Sequence, residues 1–192
     1  MPLILEGLVT TRDVDGAMHL APMGPHVQPD LHRFLLRPFP SSKTCHNLRA
    51  HPEGVLHVTD DALLLAQAAI GEIPDPPPHR PAERVGGFIL TEACRALEFV
   101  AATFDESEPR VRIECETVRA HSLRDFFGFN RARHAVVEAA ILATRRHLVP
   151  IDDILAEYAK LAVLVEKTGG PREHEALALL LRYIEAGRGA SP

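Results

Sequence analysis

Six residues crowd one predicted helix start: Arg37, Ser41, Ser42, Lys43, Thr44 and Asn47, within RPFPSSKTCHNLRAH at residues 37–51. Pro40 followed by two serines reads as a helix beginning, with Ser41 or Ser42 as N-cap. The first turn of a helix carries free N–H groups and partial positive charge, so acids are favoured there. Three other predicted helices obey, with Asp60 and Asp61, Asp152 and Asp153, and Glu173 and Glu175 at their starts. Here Lys43 stands in the first turn. Three positions beyond the serines come Thr44 or Cys45, not the Glu or Gln of a capping box. Unclaimed N–H groups, a lysine, an arginine and hydroxyls together suit a phosphate monoester or another anion. Such a group needs several donors and a balance for a charge of about -1.5 to -2. The expected counter-charge for Lys43 is therefore a bound ligand outside the chain.

A second start breaks the same rule. Asn130 is the expected N-cap, followed by Arg131, Arg133 and His134, and the first acid inside that helix is Glu138. A mismatch of this kind costs only about 0.3–1 kcal/mol at an exposed site. Two readings stay open for it: a contact to a substrate or anion, and ordinary surface charge.

Other chemistry finds less support. Eleven histidines are scattered, and His46, His51 and His57 lack the helical spacing and third ligand of a zinc site, so no metal is expected. No Ser/His/Asp or Cys/His constellation offers a catalytic group. Cys45, Cys94 and Cys115 are odd in number with no CxxC, which fits buried thiols in a reduced, cytoplasmic protein. Neither GxGxxG nor GxxxxGK[ST] occurs. The net charge of -5 disfavours nonspecific nucleic-acid binding. No apolar run is long enough to cross a bilayer, and no signal peptide is expected.

The 192 residues, 46% hydrophobic and 24% charged, suffice for one domain with a core and an appendage. LILEGLVTT (3–11) reads as a strand, and Asp15-Gly16 as a hairpin turn into AMHLAPMG (17–24). PMGPHVQPD holds three prolines and cannot lie in a sheet centre. Further strands are expected at 32–39 and 54–60, then a helix at 60–71 and a stiff exposed loop at 73–82. Residues 85–104 read as two strands or one bent strand. RVRIECETV (110–118) alternates, with Val111, Ile113 and Cys115 on one face, as an antiparallel strand with one wet face should. Helices are expected at 131–148, 152–170 and 171–187, the last two as a hairpin across Gly169-Gly170-Pro171. Many short strands with Pro/Gly punctuation favour a barrel, so the class is mainly β with inserted short helices and a C-terminal helical hairpin.

EGLVTT (6–11), APMG (21–24), SSKTCHNL (41–48) and FNRARHAVVEAAILATRRHL (129–148) carry a resemblance. The chain resembles the FMN-binding split-barrel proteins, which include flavin reductases and pyridoxamine phosphate oxidases. More narrowly, it resembles an uncharacterised family of such flavoproteins found in methanogens and in bacteria with methanopterin-linked one-carbon metabolism. The likeness spans most of the chain, and its last motif is the most specific. It implies a split antiparallel β-barrel domain at 1–149 that includes the 131–148 helix. A helical hairpin at 150–192 would pack on the barrel or on a dimer mate. It also implies a homodimer with FMN at the protomer interface. Arg37, Ser41, Lys43, Thr44 and Asn47, with Ser42 at the cap, would hold the phosphate. Pro22, Met23 and Gly24 would lie along the flavin ring, packed by aliphatic side chains because the chain has no Trp. The implied activity is that of an oxidoreductase or flavin reductase using a nicotinamide or other electron donor. A non-catalytic binder of FMN or another phosphorylated ligand, and a structural dimerisation module, are the alternatives.

Overall fold

The computed structural model describes residues 3–187. In chain order the elements are β1 (Leu3–Ile4), β2 (Gly7–Arg12), β3 (Met18–Met23), β4 (His26–Val27), β5 (Arg33–Leu36), α1 (Lys43–Ala50), β6 (Glu53–Val58), α2 (Ala62–Ile70), β7 (His79–Pro81), β8 (Phe88–Leu90), β9 (Arg95–Asp105), β10 (Arg112–Ser122), α3 (Arg131–Thr144), α4 (Ile151–Thr168) and α5 (Pro171–Ala186). They fall into two units. One takes the chain up to Thr59 together with Pro77–Phe126; the other takes Asp60–Pro76 and the chain from Phe127 on.

The first unit is an eight-stranded antiparallel sheet in the order β1-β4-β5-β10-β9-β6-β2-β3, flanked by the two-stranded β7–β8 ribbon. The two outer pairs are parts of one hairpin. Its register runs from Leu3↔Val27 through Gly7↔Met23 to Arg12↔Met18 without a slip. Where the ladder is interrupted, Leu5 N–H still donates to Pro25 O at 3.1 Å. At that break the hairpin changes neighbours. Its lower half pairs with β5 through β4, and its upper half pairs with β6 through β2. One bent hairpin thus joins both ends of the sheet and curls it into a barrel. Gly16 supplies the positive φ of 85° that its turn requires.

Alternation fixes the inside. Val111, Ile113 and Cys115 are buried as expected, with Val9, Val27, Phe34, Leu36, Leu56, Leu97 and Phe99. Phe34 and Phe99 meet edge to face, ring centroids 5.2 Å apart. Gly54 faces Phe99 so closely that a Cβ would stand 2.7 Å from the ring. Pro22 lies in β3, where one flank of the strand has no ladder partner, so its missing N–H breaks nothing. The proline-rich loop departs from expectation: His79–Pro81 forms β7, paired with β8 at His79↔Leu90 and Pro81↔Phe88. A ribbon edge tolerates proline, which is why composition concealed it. Residues 85–104 resolve into two strands, β8 and β9. The helix expected at 131–148 ends at Thr144.

His57 is fully buried in β6. Leu90 N–H donates to its Nε2 at 3.0 Å, so the ring proton sits on Nδ1, 3.2 Å from Leu8 O. Burial pushes its pKa from 6.5 down to about 4. The unfolded chain then takes up a proton that the folded one refuses. Stability is full above pH 6.5 and declines as the pH falls toward 4. Urea unfolding against pH should show this slope. It should flatten in His57→Gln, whose amide donates and accepts without titrating. An unchanged slope would assign it elsewhere.

In the second unit, α3 packs against α2, α4 and α5. Its inner face is small: Ala132, Ala135, Val136, Ala139, Ala140 and Ala143 are buried. Ile154, Tyr158 and Val165 of α4 and Ala176, Leu180 and Ile184 of α5 are buried as well. The Tyr158 hydroxyl donates to Ala139 O at 2.7 Å. Among the described residues no helix is long and apolar enough to cross a membrane.

Candidate functional site

Helix α1 begins where its sequence says. Ser42 is the N-cap, with extended backbone, and its Oγ accepts from Cys45 N–H at 3.2 Å while donating to Phe39 O at 2.8 Å. Cys45 and Leu48, three residues apart, are buried in the barrel core and pin the helix. Thr44 and Asn47 share a second buried stripe that faces the β2–β3 hairpin. The Thr44 hydroxyl lies 3.3 Å from His19 Nε2, and Asn47 Nδ2 donates to Thr11 Oγ1 at 2.9 Å. The first two helical N–H groups, those of Lys43 and Thr44, have no acceptor among the described residues.

The counter-charge for Lys43 is inside the chain, which corrects the expectation that only a ligand could supply it. Lys43 Nζ lies 3.2 Å from Asp13 Oδ2, in the turn between β2 and β3. Asp13 Oδ1 accepts from Ala17 N–H at 2.8 Å and Asp15 N–H at 3.1 Å, so the turn holds the carboxylate still. These contacts, led by the Ala17 N–H and aided by Lys43, hold its pKa below the ordinary value. Burial, and then the Lys43 charge, lower that of His19, so its ring is neutral.

The other expected residues have separate surroundings. Arg37 follows β5, and its Nη2 donates to Glu108 Oε2 at 2.6 Å while its buried Nε lacks a partner. Ser41 is exposed. Pro22 and Met23 lie further along β3 than His19, and Gly24 just beyond. Three residues of strand put Pro22 about 10 Å from His19.

At the second start, Asn130 caps α3 by accepting from Arg133 N–H at 3.1 Å. The acids missing from this turn arrive from elsewhere in the same unit. Arg133 Nε meets Glu173 Oε1 at 3.1 Å, its Nη1 lies 3.3 Å from Asp60 Oδ2, and its guanidinium covers the Phe127 ring at 4.4 Å. Arg131 and His134 are exposed, the latter edge-on to Phe129.

Sequence inspection passed over one cluster entirely. Glu83, Glu98 and His121 bring ligand-type atoms within 4.8 Å of one another. Glu98 is fully buried in β9, but its oxygens are occupied. Oε1 takes Glu83 N–H at 3.0 Å and His121 Nε2 at 2.6 Å; Oε2 takes Arg84 N–H at 2.6 Å and Val85 N–H at 3.1 Å. These partners leave no lone pair for a cation, and the cluster fastens the 83–85 loop to the sheet. Glu98 and His121 stand 23 positions apart, which gives no local signal.

Comparison with known proteins adds the following. The model of the DUF447 N-terminal domain, a protein of unknown function, matches residues 5–124, and a second DUF447 model matches residues 130–182. No curated protein matches the chain. The FMN-bound protein MM1853 from Methanosarcina mazei is similar at a TM-score of 0.80 and 22% identity, over 95% of this chain and 96% of that one. The 2-nitrobenzoate 2-nitroreductase NbaA of Pseudomonas fluorescens gives 0.53 and 14%, over 64% of this chain and 66% of its own. An FMN-binding protein from Thermus thermophilus gives 0.53 and 15%, over 64% and 73%. The shared feature is the fold, the split antiparallel barrel that the sequence resemblance implied.

Proposed function

Since the chain belongs to the DUF447 family of proteins of unknown function, we propose that it is an FMN-binding oxidoreductase whose phosphate site is the start of α1. The observation that carries this is the pair of unclaimed N–H groups at Lys43 and Thr44, beside the Lys43 ammonium, on a helix pinned to the barrel. A phosphate needs such donors, and the helix dipole adds to them. The FMN-bound relative of the same fold supports the choice of ligand. Lys43, the Thr44 N–H and exposed Ser41 would hold the phosphate. Ser42 caps the turn, and Asn47 fixes the helix against Thr11. The end of β3, at Pro22, Met23 and Gly24, would receive the flavin ring. Arg37, tied to Glu108, would add positive charge from β5. A second copy of the chain would complete the groove.

Bound FMN supplies the hydride or electron chemistry, and the electrons would come from a nicotinamide or a similar donor. The chain's own groups orient it. No side chain is required to titrate at the phosphate, since Asp13 is ionised and His19 neutral near pH 7.

FMN should bind about a hundredfold more tightly than riboflavin, because charge-assisted hydrogen bonds contribute about 1.5–3 kcal/mol each. It should also raise the melting temperature. Titration calorimetry with both flavins decides the matter, and equal affinities would sink the phosphate assignment. Anaerobic reduction of the bound flavin by NADH or NADPH then separates an enzyme from a carrier.

A further inference from the structure

The α1 start contains an anion of its own. Asp13 stands 3.2 Å from Lys43, and two turn N–H groups hold its other oxygen. The two partners differ in freedom. The Asp13 side chain is 15% exposed and clamped, while Lys43 is 55% exposed on a flexible stem. An arriving phosphate must therefore draw Lys43 from Asp13 or share it, and meets a stationary negative charge in either case. We propose that Asp13 is a resident counter-anion that competes with phosphate for Lys43 and so sets the affinity of the site for phosphate-bearing ligands.

This rests on α1 being the phosphate cradle. Its consequence is a threshold for occupancy. A small free anion has only charge to offer and faces Asp13 unaided. A phosphate that belongs to a larger molecule brings further contacts along β3 and outweighs the competitor. In the absence of ligand, Asp13 also keeps Lys43 paired beside a helix start that repels cations. His19, three residues along β3 from Pro22, is held neutral and adds no positive charge to the contest.

Asp13→Asn removes the charge and keeps an Oδ1 that accepts from Ala17 and Asp15. The FMN dissociation constant should fall about three- to tenfold at low salt, the scale of a partly exposed charge pair. Riboflavin affinity should not change, and the gain should shrink at high salt. Inorganic phosphate, added without FMN, should also bind the variant more tightly than the parent, by a similar factor. In a Lys43→Gln background the same change should yield a smaller gain. Asp13→Ser, which also keeps a turn acceptor, serves if the first variant folds poorly. If the parent prefers FMN to riboflavin but Asp13→Asn binds FMN no better, or less well, the competitor role is wrong and the cradle stands. If the parent binds both flavins equally, cradle and competitor fall together.

Discussion

Glu98→Ala should lower the unfolding free energy by about 3–5 kcal/mol, the scale of breaking a buried ion pair from one side. The carboxylate is fully buried and accepts from three backbone N–H groups and His121. Alanine would strand all four donors. Gln should not rescue. Whichever oxygen becomes an amide, its N–H groups point at the Glu83 N–H or at those of Arg84 and Val85. Burial alone would raise the Glu98 pKa. The Glu83 N–H, His121, and the Arg84 and Val85 N–H groups outweigh it and hold the value below the ordinary 4.5. The unfolded state therefore takes up the proton first. The contribution is complete above pH 4.5 and is lost as the pH falls through the lower folded value. Urea unfolding at pH 7 and in acid measures both effects. A loss under about 1 kcal/mol would mean that water reaches the loop and replaces the carboxylate.

Lys43→Met combined with Thr44→Val should weaken FMN binding about a hundredfold and leave riboflavin nearly unaffected. The ammonium supplies a charge-assisted bond of about 1.5–3 kcal/mol, and the hydroxyl orders the turn through His19 for about 1 kcal/mol. The helix should survive, since Cys45 and Leu48 still anchor it and Ser42 still caps it. Removing a cation from the first turn offsets part of the stability lost when His19 Nε2 loses its partner. Flavin fluorescence titration gives the affinity, and a melting curve shows that the fold is kept. Less than a threefold change in FMN affinity would move the phosphate away from α1.

What could be read from the chain was local. The Asp15-Gly16 turn, the Ser42 cap and the inward run of Val111, Ile113 and Cys115 follow from rules that span a few residues. The acids that answer the two irregular helix starts do not. Asp13 reaches Lys43 from the turn of a hairpin, and Asp60, just before α2, and Glu173 of α5 reach Arg133. A tally of first-turn acids counts only what is adjacent in sequence, so it took both starts to lack a counter-charge. The resemblance named the split barrel correctly. It could not show the β7–β8 ribbon, because proline content argues against strands unless an edge is available to hold them.

The bent N-terminal hairpin also bears on how the chain can be assembled as it leaves a ribosome. Its two halves dock against β5 and β6, and neither has its second neighbour when it emerges. β5 waits for β10 and β6 waits for β9, which are made last in the sheet. Until the β9–β10 pair is complete, only the hairpin joins β5 to β6, and the curl stays open on its other side. Such late, long-range closure slows folding and prolongs the exposure of strand edges. Asp13 and Lys43 sit on the early side of that closure, so the parts of the proposed phosphate cradle are made before the barrel that steadies them exists.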